Sequence, residues 1–482
     1  MSSFLDAVRE RVVIFDGATG TGIHSRDLSL DDFGGPQFEG CPEILNVTRP
    51  DVIADLHATY FDVGVDVVET NTFGGFSTVL AEYQIPERAH ELCLAAARIA
   101  REVASSYGPD RWVAGSLGPG TKMATLGWIT FRELRDTYEV ASRGLIEGGV
   151  DLLIIETVQD LLQAKAAMIG ARRAMAAEGR VVPLQVQVTM ETTGRMLLGT
   201  EIGAALAALG AMDPDVFGLN CATGPNEMHE HLRHLSNHSP FPISCLPNAG
   251  LPSIVNGHTH YDLTPDELAA AHARNISELG VSVVGGCCGT TPEHLKAVID
   301  RCRDLTPKAR TPILEPAASS VFSAVPLHQE TSYLVVGERT NANGSKAFKD
   351  ALLEGDWDAC EGIARDQVKE GSHAIDVCVD YVGRAGAPDM DELARRYAER
   401  IDAVIVLDST EPEVIEAGLQ RIGARAIINS VNLEDGDSEG TRFDRVLRLA
   451  KEYGAAVVCT CIDTEGQART PEWKLRAAQS IR

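Results

Sequence analysis

Near residue 290 the chain reads Val281-Ser282-Val283-Val284, followed at once by Gly285-Gly286-Cys287-Cys288-Gly289-Thr290. The apolar run is typical of a buried strand, and neighbouring side chains on a regular strand point to opposite faces. The flanking glycines permit backbone conformations closed to other residues, so the two adjacent thiols can converge where the strand ends. A similar short run, Phe217-Gly218-Leu219-Asn220, leads into Cys221.

Three cysteines at strand ends match the ligand set of a catalytic zinc, which uses three protein ligands and keeps one position open. Inert packing is one alternative, because free cysteine is often buried without being reactive. A strained disulfide between the adjacent cysteines is another. The glycine flanks and the matching position of the third cysteine favour a zinc ion bound by Cys221, Cys287 and Cys288.

Length and composition limit the class of protein. The 482 residues predict two or three domains. A formal net charge of −26 argues against a nucleic-acid partner. The amino-terminal residues have no basic region followed by an apolar core, and no apolar stretch approaches the length of a membrane span. Eleven cysteines without a secretory signal favour a reducing compartment, so we expect a cytoplasmic protein with thiol or metal chemistry.

Up to about residue 305, short apolar runs alternate with helix-like segments. The runs cover residues 12–15, 65–68, 112–114, 152–155, 184–188, 216–219, 243–246 and 281–284. Strict alternation of β and α predicts a parallel sheet, and eight repeats predict a closed (β/α)8 barrel of the TIM type. Chemistry in such barrels lies at the carboxyl ends of the strands, where polar residues gather in this sequence as well.

A second α/β series follows a segment rich in proline, serine and alanine. Its apolar runs cover residues 334–336, 374–377, 403–407, 426–428 and 456–458. Five βα units do not close a barrel. We therefore predict a first barrel over residues 1–310, a linker over 311–330, and a second TIM-type barrel over 331–482 that is truncated at its carboxyl end.

Two sets of motifs resemble known families. Asp16-Gly17-Ala18, Gly218-Leu219-Asn220-Cys221 and the Gly285–Thr290 stretch resemble the homocysteine S-methyltransferase domain. The second set resembles a pterin-binding methyltransferase domain and comprises Val336-Gly337-Glu338-Arg339-Thr340-Asn341, Asp376, Leu407-Asp408-Ser409 and Ile428-Asn429-Ser430. This order of domains is that of the cobalamin-dependent methionine synthase family, and the resemblance covers nearly the entire chain. It implies methyl transfer from 5-methyltetrahydrofolate to homocysteine through a cobalamin carrier, which forms methionine.

The resemblance also implies roles for residues of the first barrel. Zinc on the three cysteines would activate the homocysteine thiol, because the thiolate is the nucleophile. Asn248 could occupy the fourth zinc position in the absence of substrate, or it could cap a tight turn. Glu156 and Asp16 would hold the homocysteine ammonium, and the backbone amides of Gly17 and Ala18 its carboxylate. Either acid could instead be a helix cap or a buried ion-pair partner.

The second domain would bind methyltetrahydrofolate. A carboxylate can accept adjacent N–H donors of a pterin in parallel, and Asp408 matches that role, with Asp376 near it. Asn429 matches the residue that hydrogen-bonds the leaving nitrogen, which must gain a proton. Glu338 and Asn341 are expected on the same rim. Cys378 departs from the family, in which asparagine is common at that position, so its role stays open.

No cobalamin-binding module is recognisable in this chain. The resemblance therefore places methylcobalamin, and the modules that bind and reactivate it, in a missing carboxyl-terminal part or in a separate protein. One alternative is a folate-independent homocysteine S-methyltransferase that uses a sulfonium or betaine donor. A zinc- or thiol-binding module without turnover is the non-enzymatic alternative.

Overall fold

The computed structural model describes residues 3–255 and 258–481. The chain divides into two compact units. The first consists of Met1–Met123, Arg132–Leu198 and Pro214–Leu314, and the second of Ala124–Phe131, Gly199–Asp213 and Glu315–Arg482. Each unit is built around its own parallel sheet.

The first unit contains a closed barrel. Its strands are β1 Val13–Ile14, β2 Val67–Glu69, β3 Trp112–Leu117, β4 Leu152–Val158, β5 Leu184–Val188, β6 Val216–Asn220, β7 Ile243–Leu246, β8 Pro252–Val255, β9 His258–Tyr261 and β10 Val281–Val284. Eight of them form a parallel sheet in the order β1-β10-β7-β6-β5-β4-β3-β2. A bridge between Phe15 and Val67 joins β1 to β2 and closes the sheet. The eight predicted strands and the (β/α)8 barrel are confirmed, whereas the antiparallel hairpin β8–β9 was not predicted.

Helices alternate with these strands. They are α1 Phe4–Glu10, α2 Thr19–His24, α3 Leu45–Thr48, α4 Pro50–Val63, α5 Ser77–Leu80, α6 Ala89–Ser106, α7 Phe131–Gly148, α8 Leu161–Glu178, α9 Ile202–Gly210, α10 Pro225–His238, α11 Pro265–Arg274 and α12 Pro292–Cys302. Helix α6 buries Leu92, Ala96 and Ala100, whose spacing of four residues places them on one face. Thr264 caps α11 in a capping box with Glu267, which satisfies amides that would otherwise lack partners.

An apolar cluster fills the amino-terminal end of the barrel. Phe4 of α1 packs edge-on against Phe15 and Trp112, with ring centroids 6.2 and 6.1 Å apart. The same cluster contains Val67 and Leu152, near the starts of their strands. Edge-to-face aromatic pairs add about 0.5–1.5 kcal/mol each to the burial of their apolar area. This end of the barrel is therefore a packed core, which leaves the carboxyl end for ligands.

The second unit contains an open sheet. Its strands are β11 Ala317–Ser319, β12 Ala324–Pro326, β13 Val336–Gly337, β14 Ala374–Val377, β15 Val404–Asp408, β16 Ile427–Val431, β17 Ala456–Cys459, β18 Ile462–Asp463 and β19 Gly466–Gln467. Its helices are α9, which lies within Gly199–Asp213, and α13 Lys346–Glu354, α14 Trp357–Lys369, α15 Gly386–Arg400, α16 Pro412–Leu419, α17 Arg442–Tyr453 and α18 Pro471–Ile481. The five strands β13 to β17 lie parallel in chain order, as predicted.

The edges and the centre of this sheet differ in burial. Val336 in β13 and Val458 in β17 are 40% and 41% exposed, whereas every residue of β14 is buried. The predicted linker includes the antiparallel hairpin β11–β12, whose Ser319 exchanges hydrogen bonds with Arg425. Across residues 3–255 and 258–481, no helix is both long enough and apolar enough to cross a membrane.

Candidate functional site

A cavity of about 240 Å³ opens at the carboxyl ends of the strands in the first unit. Its wall includes six of the residues predicted for this site, namely Gly17, Ala18, Glu156, Cys221, Cys287 and Cys288. The wall also contains Glu69, Ser116 and Asn220, which were not among the predicted site residues. The β/α order thus brings together side chains that are up to 270 residues apart in the sequence, as expected for a TIM barrel.

The three cysteines form one cluster. Their sulfur atoms all lie within 4.8 Å of one another, and those of Cys221 and Cys288 are 3.8 Å apart. Zinc–sulfur bonds of about 2.3 Å in a tetrahedron place two sulfurs about 3.8 Å apart. Cys221 has a φ of 61°, and its amide donates to Leu246 O at 3.2 Å. The left-handed backbone conformation at Cys221 is thus stabilised by the neighbouring strand.

Asn248 lies in the loop that follows β7, outside the wall of this cavity. Its side chain is 3% exposed, and its Oδ1 atom has no hydrogen-bond partner among the described residues. The amide of the next residue, Ala249, donates to Cys288 O at 2.9 Å, which ties this loop to the backbone of the cysteine pair. A buried carbonyl oxygen without a partner costs about 1–3 kcal/mol, so this atom is suited to a ligand that supplies positive charge.

The glycines around the cysteine pair act mainly by leaving space. A Cβ atom on Gly286 would lie 2.3 Å from Thr290 Oγ1, and one on Gly285 would lie 2.8 Å from Phe15 Cβ. Of the three glycines, Gly289 alone has a left-handed backbone, with a φ of 79°. A Cβ there would also lie 2.3 Å from the ring of Tyr261. The sequence argument from backbone freedom thus holds at Gly289, whereas close packing is the reason for glycine at the other two positions.

The sulfur cluster favours one thiolate. Hydrogen bonds from Cys221 and then Cys287 lower the pKa of the Cys288 thiol to about 3. The hydrogen bonds that Cys287 makes with Cys221 and Cys288, together with burial, raise its own pKa well above the usual range. Within the cluster, Cys288 is thus the thiol most readily deprotonated, and its thiolate would attract a cation.

Glu69 and Glu156 line the same cavity, and Asp16, which is not part of the wall, accepts a hydrogen bond from the Glu69 amide at 3.0 Å. Burial raises the pKa of Glu156 to about 7. Its Oε1 accepts a hydrogen bond from Ser116 Oγ at 2.5 Å. Burial also raises the pKa of Asp16 and of Glu69 well above the usual range, and Glu156 and Asp16 add repulsion at Glu69. Glu69 directly follows the second predicted strand and was visible in the sequence as a strand-end polar residue, but no ligand role was predicted for it. Desolvated acids placed this close together favour binding of a cation such as an ammonium group.

The two backbone amides predicted to hold the substrate carboxylate differ in their hydrogen bonding. The Ala18 amide donates to Thr290 Oγ1 at 3.3 Å. Within the described part of the chain, the Gly17 amide has no hydrogen-bond acceptor. A Cβ on Gly17 would lie 2.6 Å from Thr290 Oγ1, which explains why glycine is required there.

In the second unit, Asn341 joins two acids at the ends of neighbouring strands. Its Nδ2 atom donates to Asp376 Oδ2 at 2.9 Å and to Asp408 Oδ2 at 3.0 Å. Burial raises the pKa of Asp376, and burial followed by the charges of Asp376 and Asp380 raises that of Asp408 to about 6. The structure thus brings together three of the predicted folate-site residues.

The remaining predicted residues of this unit differ in position. Asn429 Nδ2 lies 3.4 Å from Asp376 Oδ1 and joins the same cluster. The side chain of Glu338 is exposed. Cys378 is 3% exposed, and burial raises the pKa of its thiol to about 12. The Cys378 side chain is thus held as a neutral thiol, and its sulfur accepts a hydrogen bond from Asn343 Nδ2 at 3.5 Å.

Comparison with known families agrees with this geometry. Residues 13–302 match the family model described as homocysteine S-methyltransferase. The chain belongs to the homocysteine S-methyltransferase family. Residues 337–480 match the model described as pterin binding enzyme. Both resemblances seen in the sequence motifs are confirmed.

Two relatives of this homocysteine S-methyltransferase family member are mycobacterial methionine synthases. The methionine synthase of Mycobacterium tuberculosis (strain ATCC 25618 / H37Rv) is 51% identical over 483 residues, which cover 100% of this chain and 40% of that protein. The methionine synthase of Mycobacterium leprae (strain TN) is 50% identical over 488 residues, with the same coverage. The chain spans about 40% of the length of these curated relatives.

Solved structures with similarity to this chain include the homocysteine methyltransferase MmuM from Escherichia coli. Its oxidised form is 20% identical and has a TM-score of 0.49, with coverage of 62% of this chain and 98% of that chain. Its metallated form is also 20% identical and has a TM-score of 0.47, with coverage of 60% and 96%.

Proposed function

We propose that this chain is the homocysteine- and folate-binding part of a methionine synthase. The observation that carries the proposal is one cavity at the carboxyl end of the barrel. Its wall contains three sulfur atoms, all within 4.8 Å of one another, together with the carboxylates of Glu69 and Glu156. The sulfur cluster suits a thiophilic metal, which would bind the homocysteine thiol. The carboxylates suit the homocysteine ammonium group.

Zinc is the metal that this donor set fits best. Cys221, Cys287 and Cys288 would supply three thiolates, and the unpartnered Oδ1 of Asn248 would be the fourth ligand before substrate arrives. Zinc bound there would supply a Lewis acid that keeps the substrate sulfur deprotonated at neutral pH. The three thiolates leave the site electron-rich, so that sulfur stays nucleophilic.

The carboxylates would orient the substrate. Glu156 and Asp16, joined by Glu69, would accept hydrogen bonds from the homocysteine ammonium. Their raised pKa values reflect desolvation, and a bound ammonium would offset that cost by pairing with them. The amides of Gly17 and Ala18 would hold the substrate carboxylate, which fixes the amino acid across the cavity.

Methyl transfer then needs alignment of one sulfur with one methyl group. A lone pair of the homocysteine thiolate forms the new S–C bond, while the bond between the methyl group and its donor breaks and the donor keeps that electron pair. A corrinoid, held outside this chain, would carry the methyl group between the two substrates. The residues of this chain position the sulfur and exclude water from it.

The second unit would bind 5-methyltetrahydrofolate. Asp408 and Asp376 would accept the adjacent N–H donors of the pterin, and Asn341 holds both acids in one orientation. Asn429 would hydrogen-bond the leaving nitrogen, and Glu338 lies on the exposed rim. The proposed domains are residues 1–310 for homocysteine and 331–482 for folate, joined by 311–330, in a cytoplasmic protein.

Donor preference tests the proposal. The purified chain, loaded with zinc, is incubated with homocysteine and one donor at a time: free methylcobalamin, S-methylmethionine or betaine. We expect one zinc per chain and methionine from methylcobalamin only. Methionine from S-methylmethionine or betaine would instead support a folate-independent methyltransferase. Zinc and homocysteine binding without turnover of any donor would support a binding module.

A further inference from the structure

A second cavity lies at the starts of strands β3, β4 and β5, at the opposite end of the barrel from the cysteine cluster. Its volume is about 680 Å³. Phe4 and Trp112, which belong to the apolar cluster that closes the barrel interior at this end, form part of its wall. Exposed apolar groups, among them Pro109 and Val181, form another part. A cavity of this size with an apolar wall and a few charged groups is typical of small-molecule sites.

Positive charge exceeds negative charge in this wall. Its charged side chains, among the described residues, are Arg101, Arg111, Arg180 and Asp151, which together carry a formal charge of +2. The whole chain carries a formal net charge of −26, so its average composition does not predict a basic cavity. A concave surface with an excess of positive charge attracts anions.

Two of the three arginines are held in different ways. Arg101 has an acid partner, because its Nη1 atom donates to Asp151 Oδ2 at 2.7 Å. Arg180 donates to neutral carbonyls at and just beyond the end of α7, namely Ile146 O at 2.9 Å and Val150 O at 2.6 Å. These carbonyls hold the Arg180 guanidinium group in place without cancelling its charge.

Arg111 shares its acid with two further arginines. Its Nη1 atom lies 3.5 Å from Asp66 Oδ1, and the same oxygen lies 3.3 Å from Arg303 Nη1 and 3.2 Å from Arg11 Nη2. Burial lowers the pKa of Arg111, and repulsion from Arg303 and Arg11 acts in the same direction, against the attraction of Asp66. One carboxylate thus faces three guanidinium groups, and the side of the cavity at Arg111 keeps a positive charge.

Two donors of this wall have no acceptor. The Nε atoms of Arg101 and Arg111 are buried and have no hydrogen-bond partner among the described residues. Buried polar groups almost always have a partner, so each exception needs an explanation. Two such donors beside one cavity indicate a place where the acceptor comes from outside the chain.

We infer that this cavity binds a small organic anion, in which a carboxylate or phosphate group is joined to an apolar or planar part. Guanidinium groups offer parallel N–H donors that match the oxygens of both kinds of anion. The anionic group would lie against Arg111 and Arg180, and the apolar part against Pro109 and Val181. Because the cavity lies at the opposite end of the strands from the cysteine cluster, its ligand is an effector and not a reactant, and it binds independently of homocysteine and of metal.

Two pairs of probes separate the anionic group from the rest of the molecule. Adenosine 5′-monophosphate and nicotinate carry a phosphate and a carboxylate, and adenosine and nicotinamide are their neutral counterparts. Affinities of the full chain are measured by calorimetry at low ionic strength, where charge pairs are screened least. We expect one site per chain for at least one of the two anions, and an affinity for its neutral counterpart that is lower by roughly tenfold or more.

A charge placed at the cavity wall tests the location without removing a contact of the core. Val181 is 87% exposed, so Val181→Asp and Val181→Lys should both fold. The added aspartate should weaken binding of the anion and the added lysine should strengthen it, each by roughly 3–10-fold. Val140→Asp is the control, because Val140 is an exposed valine of α7 that is not part of this wall. It should bind the anion as the parent does.

Arg180→Gln removes one of the proposed contacts. The loss of a hydrogen bond to a charged group should weaken binding of the anion by roughly 10–150-fold. Arg310→Gln is the matched control, because Arg310 also donates to carbonyls beyond the end of a helix, Ser239 O at 2.9 Å and Phe241 O at 2.6 Å, but lies outside the cavity wall. It should keep the parent affinity.

A parent that binds neither anion, or that binds the neutral counterparts equally well, would overturn the inference. Equal affinities in Val181→Asp, Val181→Lys and the parent would place the anion elsewhere and overturn it too. An equal loss in Arg180→Gln and Arg310→Gln would mean that general destabilisation, and not a lost contact, weakens binding. If Arg180→Gln does not fold, the Val181 pair carries the test alone. Homocysteine and zinc binding should be unchanged in the Val181 variants, so failure here leaves the proposed function intact.

Discussion

The closed barrel and the open sheet both place acids after their strands, but they bury them differently. In the barrel, Asp16 and Glu156 are 2% and 5% exposed, and Glu156 has a pKa of about 7. In the open sheet, Asp408 is partly exposed and has a pKa of about 6. Asp376, the partner of Asp408 in the open sheet, is nevertheless only 3% exposed. The open sheet therefore leaves one of its two paired acids accessible to solvent, whereas Asp16 and Glu156 of the barrel are both buried.

Loss of the cysteine cluster should have the largest effect of the changes considered, and that effect should be confined to the barrel. Replacing Cys287 and Cys288 together by serine removes two of three thiolates, and we expect zinc content near zero and no detectable homocysteine binding. Cys302→Ser is the control, because Cys302 is a buried thiol of the same unit outside the cluster, and its sulfur donates a hydrogen bond to Ala269 O at 3.6 Å. Metal analysis and calorimetry on both variants give the answer. Full zinc occupancy in the double variant would refute the assignment.

Glu156→Gln should change how stability depends on pH. A carboxylate whose pKa rises from 4.5 unfolded to about 7 folded makes the parent lose stability as pH rises through that interval. The variant has no such titration, so its advantage over the parent should grow from pH 5 to pH 8 by about 1–3 kcal/mol. Denaturant unfolding of metal-free protein at the two pH values measures this difference. An advantage independent of pH would mean that Glu156 titrates normally.

Asp408→Asn tests the proposed folate site of the open sheet. Hydrogen bonds to a charged partner contribute about 1.5–3 kcal/mol, so methyltetrahydrofolate affinity should fall roughly 10–150-fold. Zinc content and homocysteine binding should not change. Asp437→Asn, at an exposed loop position of the same unit, is the control. If the control loses as much folate affinity as Asp408→Asn, the pterin contact lies elsewhere.

The smallest expected difference is in the hydrogen-exchange rates of the strands of the open sheet. Central strands such as β14 are fully buried, whereas β13 and β17 have one unpaired edge each and exposed side chains. We expect amides of β14 and β15 to exchange far more slowly than those of β17, and barrel strands β4 to β6 to be the slowest of all. Uniform protection across β13 to β17 would show that the edges are covered in solution.

Much of this account could be predicted from local patterns. Apolar runs marked every strand of both parallel sheets, and Cys221, Cys287 and Cys288 were matched from their strand-end positions. Asn220 was part of a quoted motif, yet its contacts with Glu156 and Thr157 join residues 64 and 63 positions apart. Such contacts depend on which neighbouring strand ends face one another, and no local pattern encodes that. The hairpin β8–β9 was missed for a different reason, since its proline- and glycine-marked sequence is typical of a loop.

The central claim is that the cysteine cluster activates the homocysteine sulfur, and proton release tests it most directly. Zinc-loaded protein in weak buffer at neutral pH receives homocysteine, or homoserine, which has the same ammonium and carboxylate but no thiol. Because binding to the cysteine cluster requires the thiolate, homocysteine should release about one proton per site more than homoserine does. Metal-free protein should show no such difference. Equal release by the two ligands in the zinc form would show that the cluster does not activate the homocysteine sulfur.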